Sequence, residues 1–362
     1  MATSFSDRAA GAIVGALIGD ALGLGPHWYY DLTAMRRDYG DWIDGYTDPR
    51  QNRYHAGLKA GDQSQTGLIT LELLWSVASN GGYDKVDFTR RLDENILSHT
   101  DGTAYSGPGG YTSISIRELH EARVQKKLAW GETGGYADTT EGAERAVVLA
   151  ARYAAYASQA ADVVAENIRL TQIDPFVVAQ SVAFNVIISA LVRGDDFDAH
   201  LGKHLWKMLT DGELPFTRTV LADERGTLTR ALPAPGANLP FPDSLLQPFH
   251  IQQAAQDPGI RIEPAWKVSL VYGMPCAIQC QLPAAYYLAA RFPDDFESAV
   301  LHALNGGGNN MSRAMLTGAL VGAMVGLSGI PERFVKGLTQ GQEIVKLALE
   351  VAGQAAGEIR ES

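Results

Sequence analysis

Residues 11–23 read GAIVGALIGDALG, with Gly11, Gly15, Gly19 and Gly23 four apart, and residues 318–326 read GALVGAMVG, with Gly318, Gly322 and Gly326 at the same interval. On a helix that interval places every glycine on one face. Each interior glycine costs a helix ~1 kcal/mol against alanine. Two helices that carry several must recover the loss by close backbone approach, which a ridge of small residues permits. The spacing therefore predicts that the first and last thirds of the chain pack together in the core. It also predicts that their ends bring Asp20, His27 and Asn309–Ser312 into one neighbourhood.

Outward from these ridges, apolar residues recur with helical period over most of the chain. The predicted helices are Ser6–Leu24, Ser64–Ser79, Val86–Ser98, Ser113–Gln125, Thr140–Ser158, Asp162–Thr171, Pro175–Arg193, Asp198–Thr210, Pro242–Gln256, Pro275–Arg291, Asp294–Asn305, Asn310–Leu327 and Pro331–Gly353. Asp174 caps a first-turn proline, and Thr139 or Thr140 precedes Glu141 and Glu144, which suit a helix N-terminus. The stretch 211–273 differs: its prolines run from Pro215 to Pro264, and Phe216–Ala222 and Thr227–Leu232 flank a hairpin turn at Asp223–Gly226. It reads as an insertion that lacks a core of its own, a structural arm before a lid. The whole, 1–362, reads as a single all-α domain.

Composition narrows the function classes. With 41 acidic and 30 basic residues, the chain carries a net charge of −11 and no basic cluster longer than a pair such as Arg36-Arg37, which argues against nucleic acid. Met1–Arg8 is polar and Gly11–Gly25 contains Asp20, unlike a secretory leader. The run Ala314–Ile330 is short for a membrane span. Two cysteines, Cys276 and Cys280, are too few for a disulfide framework or a zinc site. They read as core packing in a reducing compartment, and the expectation is a cytoplasmic protein without a membrane partner.

Four polar segments stand out: Gly19–Gly23 running into Pro26-His27-Trp28-Tyr29-Tyr30-Asp31; Gly61-Asp62-Gln63-Ser64; the glycine-rich loop Asp101–Thr112; and Asn305-Gly306-Gly307-Gly308-Asn309-Asn310-Met311-Ser312. Asp20 in an apolar helix needs a partner. The backbone N–H groups of Gly107, Gly109, Gly110 and Tyr111 suit an anion, although a plain turn is the commoner use of such a loop. Trp28, Tyr29, Tyr30 and Tyr111 offer faces for a base or sugar, or for the core. His200 and His204, one helical turn apart, read as a surface face. His99 with Asp101 reads as a capping turn as readily as an acid–base pair.

In order and spacing, these segments resemble the ADP-ribosylglycohydrolase family, from about Ala9 to Leu338, with 211–273 the poorest match. The likeness rests on Gly19-Asp20-Ala21-Leu22-Gly23, on Gly61–Ser64 in place of Thr-Asp-Asp-Thr, on Thr171-Gln172-Ile173-Asp174-Pro175, and on Asn305–Ser312 before Gly318-Ala319-Leu320. The resemblance implies an all-α bundle with paired magnesium ions that position a glycosidic bond of ADP-ribose for attack by water. Magnesium needs hard oxygen ligands, yet three of four acidic positions are neutral here: Gln63, Asn309 and Met311. Gln172 stands where the family has histidine. These exchanges look like the crystallin J1-like branch. The expectation is no cofactor, or at best one weakly held magnesium ion on Asp62.

Two readings follow. In one, a diverged glycosidase uses Asp62 as base and His27 or Asp31 as acid. Asp20, Gln63, Ser64, Gly107, Gly109, Gly110, Tyr111, Gln172, Asn309, Asn310 and Ser312 then bind a small ligand related to ADP-ribose or a nucleoside. In the other, the chain is an inactive ligand-binding or structural protein. Both expect Asn309 to face Asp62 across a shared cavity. The sequence leaves the oligomeric state open.

Overall fold

The computed structural model describes residues 3–217, 221–222, 228–229 and 238–361. Helices dominate, and among the described residues the one regular pairing of strands is the hairpin of Leu221–Ala222 with Leu228–Thr229, antiparallel. The expected turn, Asp223–Gly226, lies outside the described residues.

At the centre runs the helix Phe5–Gly23, buried from Ala9 onward on every side. A helix apolar all round has no solvent face to offer. It lies antiparallel to Asn310–Val325, also buried almost throughout. The ridges meet as the spacing predicted. A Cβ built on Gly15 would stand 2.2 Å from the Gly318 carbonyl oxygen, one on Gly11 would stand 2.2 Å from that of Gly322, and one on Gly19 would stand 2.2 Å from that of Ala314. Gly326 ends the helix with φ +75° and still lies against the ridge, its carbonyl carbon 2.6 Å from where a Cβ on Gly11 would stand. Around this pair pack Gln65–Asn80, Val147–Arg152, Pro175–Arg193, Phe296–Leu304 and Gly341–Glu361.

Pro175–Arg193 is long and apolar enough to cross a membrane by composition, but 83% of its most apolar window is buried inside this fold. Several predicted helices break or shift. The stretch 140–158 divides into Glu141–Arg145 and Val147–Arg152. Ser113–Gln125 widens to a π-turn after His120. A short helix, Leu32–Tyr39, falls where none was expected, capped by the Asp31 carboxylate on the Thr33 and Ala34 N–H groups. Within 211–273, Phe216, Leu239, Leu246 and Val268 join the main core, and Tyr286 donates to the Leu245 carbonyl at 2.9 Å. The described part of the insertion is thus packed into the body.

Gly15→Ala should destabilise the protein by about 3 kcal/mol or more, because its methyl would meet backbone rather than a side chain that can move. Gly353→Ala meets open space and should stabilise by about 1 kcal/mol through helix propensity. Urea unfolding of both variants checks the pair; equal effects would sink the close-approach account.

Candidate functional site

The Asn305–Asn309 loop enters the site with its shape set by buried polar groups. Arg313, fully buried, donates to the Ala303 carbonyl (3.0 Å) and the Gly307 carbonyl (2.6 Å). Asn305 pairs with both backbone groups of Ile43, accepting at 2.9 Å and donating at 2.8 Å. Gly308 exchanges backbone bonds with Trp28 and Tyr29. It has φ +60°, and a Cβ there would press into Met274, so only glycine fits. The loop therefore carries Asn309 to the end of the central helix, beside His27.

An inner cavity of about 40 Å³ opens there, room for a few waters. Its walls are His27, His55, Ser64, Gln65, Thr66, Tyr111, Ser113, Glu141, Cys276, Asn309, Met311 and Ser312, with Trp28 at the mouth. Trp28 also lines an outer cleft of about 700 Å³ with Tyr30, Asn52, Arg53, Tyr54 and Tyr105, so its indole is the wall the two spaces share. Tyr54 and Tyr105 stack at 5.4 Å, and Trp28 meets Tyr54 and Tyr111 edge-on. Trp28 (φ 60°) and His55 (φ 66°) both hold left-handed backbone. For bulky side chains that costs about 1–3 kcal/mol each and persists only where the surroundings impose it. The Trp28 Nε1 is buried without a hydrogen-bond partner among the described residues.

Two imidazoles form the basic side of the cavity. His27 Nδ1 lies 2.7 Å from His55 Nε2, His55 Nδ1 lies 2.6 Å from the Gly109 carbonyl, and His27 Nε2 lies 3.1 Å from Asn309 Oδ1. Burial lowers both: His27 falls well below its ordinary value, helped by His55 and Arg53, and His55 falls to about 4. Three carboxyls move the other way. Asp20, buried in the central helix, accepts the Ser64 N–H at 2.8 Å and its hydroxyl at 2.6 Å. Burial still raises it to about 6. Glu144 accepts from Thr140 Oγ1 at 2.6 Å, and burial together with the neighbouring Glu141 raises it to about 8. Glu141 takes the Thr139 hydroxyl and is itself raised by burial.

Several expectations are corrected. Asp62 does not face Asn309: its carboxylate accepts from the Lys59 N–H and the Thr339 hydroxyl, both at 2.8 Å, outside the cavity. Asp31 is exposed as a helix cap. Gln63 turns inward, donating to the Leu17 carbonyl at 3.1 Å. Gln172 is fully buried and ties Ala137, Thr139 and Gly142 together. Asn310 donates to the Pro26 and Leu304 carbonyls. In the glycine-rich loop, the Gly110 N–H closes its own turn on Gly107 and the Gly109 carbonyl holds His55. A Cβ on Gly109 would stand 2.0 Å from the Gln65 nitrogen, so this loop seats a helix start. Two readings hold: His204 meets Asp195 at the surface, and Asp101 caps its own turn.

The structure brings together His27, Ser64, Tyr111, Asn309 and Ser312 of the predicted set. Sequence reading missed His55, an isolated histidine in a loop without periodic signal. It also took Glu141 and Glu144 for helix-end charges and Cys276 for core; Cys276 is half-buried and lines the cavity. Among the described residues, no group of three or more His, Cys, Asp or Glu is placed to hold a metal ion.

A helical bundle that encloses a small buried polar cavity behind an aromatic cleft is the class of protein defined here. Comparison with known proteins agrees: the family model for ADP-ribosylglycohydrolase matches residues 1–360. Crystallin J1A of Tripedalia cystophora is 25% identical, with 96% of each chain covered. A solved ADP-ribosylglycohydrolase-related protein complex shares the fold, with a TM-score of 0.61 at 18% identity over 97% of this chain and 99% of that one. The chain belongs to the ADP-ribosylglycohydrolase family.

Glu144→Gln should separate the proton states. The Glu144 carboxyl ionises less readily in the fold (about 8) than its ordinary value of 4.5. Its stabilising contribution is full below 4.5 and is lost as pH rises toward 8. The variant should match wild type near pH 4.5 and exceed it by on the order of 1–3 kcal/mol at pH 8. Urea unfolding across that range is the measurement, and a difference flat with pH would refute the buried-acid assignment.

Proposed function

We propose that this chain is a diverged hydrolase of a glycosidic bond in an ADP-ribose- or nucleoside-like substrate, with acid–base side chains doing what a magnesium pair does in the family. The observation that carries this is the lining of one cavity by Glu141 and His27, whose environments push proton affinity in opposite directions. Such a split is how an acid and a base coexist near neutral pH.

The donor set does not fit two magnesium ions. At the family's ligand positions stand the amides of Gln63 and Asn309, the Met311 thioether and an outward Asp62. A thioether is a poor ligand for a hard cation. In the proposed step, water adds to the anomeric carbon as the glycosidic bond breaks. The water's proton passes to His27, and Glu141 gives its proton to the leaving group. Asn309 and Ser312 hold sugar hydroxyls, and the outer cleft, at about 700 Å³, lies in the size range of small-molecule sites. Its aromatic faces suit a base.

A second reading, a non-catalytic structural or ligand-binding protein, is favoured by the 40 Å³ of the inner cavity and by the end-to-end likeness to a crystallin. Thermal shift and turnover separate the two. ADP-ribose should raise the melting temperature without magnesium. Release of ADP-ribose from an arginine or serine adduct, or of base from a nucleoside, should persist in EDTA. Glu141→Gln and His27→Ala should each lower kcat ~100-fold while the ligand shift remains. Turnover that requires magnesium would overturn the acid–base reading. Absence of both shift and turnover would leave the structural one.

A further inference from the structure

The two histidines form a chain whose proton positions are fixed from one end. The Gly109 carbonyl can only accept, so His55 carries its hydrogen on Nδ1 (2.6 Å). The ring is 1% exposed, and no carboxylate is bonded to it, so it is neutral and its Nε2 is a lone pair. That lone pair stands 2.7 Å from His27 Nδ1, which must then be the donor. His27, 3% exposed, is left with a bare Nε2 beside Asn309. Asn309 Oδ1 stands 3.1 Å from this nitrogen and Nδ2 stands 2.9 Å from Ser312 Oγ. The two amide orientations fill the same space. Only the one that turns Nδ2 to His27 and Oδ1 to the Ser312 hydroxyl avoids setting acceptor against acceptor.

We propose that His55 is a positioning residue that locks His27 in its Nδ1–H tautomer and so turns an Nε2 lone pair toward the inner cavity, where it accepts from the Asn309 amide and, when that amide turns to a ligand, from a water or a sugar hydroxyl. The geometry around His55 is built for this. Its backbone is left-handed (φ 66°), and a Cβ on Gly110 would stand 2.8 Å from its Cα. The His55 backbone thus lies against Gly110, where a side chain would collide with it. His27 is faced by Trp28, stacked at 4.5 Å, and by His55, Asn309 and the Arg53 charge. Nothing acidic is bonded to it, so no carboxylate draws a second proton onto the ring. Of the two ring tautomers, the one imposed leaves the nitrogen farther from the backbone as the base, the end that a ligand entering past Trp28 would meet.

For catalysis this rests on the hydrolase reading, to which it adds which nitrogen takes the proton from water. The dyad itself stands whether or not the chain turns over. The test is two-bond ¹H–¹⁵N correlation on the full chain labelled at histidine, at pH 7, with His27→Gln used for assignment. Both His27 and His55 should show protonated Nδ1 and unprotonated Nε2. In His55→Phe, which offers no acceptor, His27 should shift toward the Nε2–H form. In His55→Gln, whose carbonyl can accept from Nδ1, the wild-type pattern should return. If turnover is found, His55→Phe should lower kcat ~100-fold and change the pH profile, with rescue by His55→Gln. An Nε2–H signal for His27 in the wild type overturns the proposal, as does a His27 tautomer indifferent to His55→Phe. Should the phenylalanine variant not fold, the wild-type spectrum alone decides. A correct tautomer pattern without turnover removes the hydrolase reading and leaves the dyad.

Discussion

Backbone laid directly on backbone between two glycine-faced helices is the constraint on which the rest depends. The carbonyl oxygens of Gly318 and Gly322 occupy the space where Cβ atoms on Gly15 and Gly11 would be. So close a contact fixes the axial register of two helices from opposite ends of the chain. Their ends are fixed with it. The chain leaves the first helix at Gly23 and enters the second at Asn310. His27 and Asn309 therefore meet as a consequence of packing at a distance from them.

Around that junction the fold buries ionisable groups and satisfies them with neutral partners. Asp20 is held by one serine, Glu144 by a threonine and His55 by a carbonyl. Arg145 and Arg313 bond chiefly to backbone carbonyls and amides. Desolvation penalises whichever form is charged, so the carboxyls tend to keep their protons and the imidazoles to lose theirs. Burial of this kind works against charge on the groups around the pocket. A pair of divalent ions asks for the opposite, a concentration of carboxylates with free lone pairs. The neutral residues at positions 63, 309 and 311 are in keeping with these buried surroundings.

Much of the architecture was legible. Period and glycine spacing gave the helices, the central pairing and the neighbourhood of His27 with Asn309. Ser64, Tyr111 and Ser312 followed from polar runs at helix starts. Asp62 was misplaced because its neighbours in sequence point both ways. Ser64 turns to Asp20 inside, while Asp62, two positions earlier, turns to Thr339 in the turn between Glu332–Gly337 and Gly341–Glu361. Gln172 looked like a site residue and serves as a brace between loops.

The sequence by itself determined that this chain is helical, where its two central helices touch and which family it joins, because those follow from local period and from glycine's missing side chain. Only the tertiary structure decided which polar groups share the cavity. His55 and Glu141 gave no local signal; they acquire their roles from the left-handed turn, the glycine-rich loop and the helix start that long-range packing sets around them. A side chain's proton affinity and partners depend on what is buried beside it, and that is a property of the assembled core.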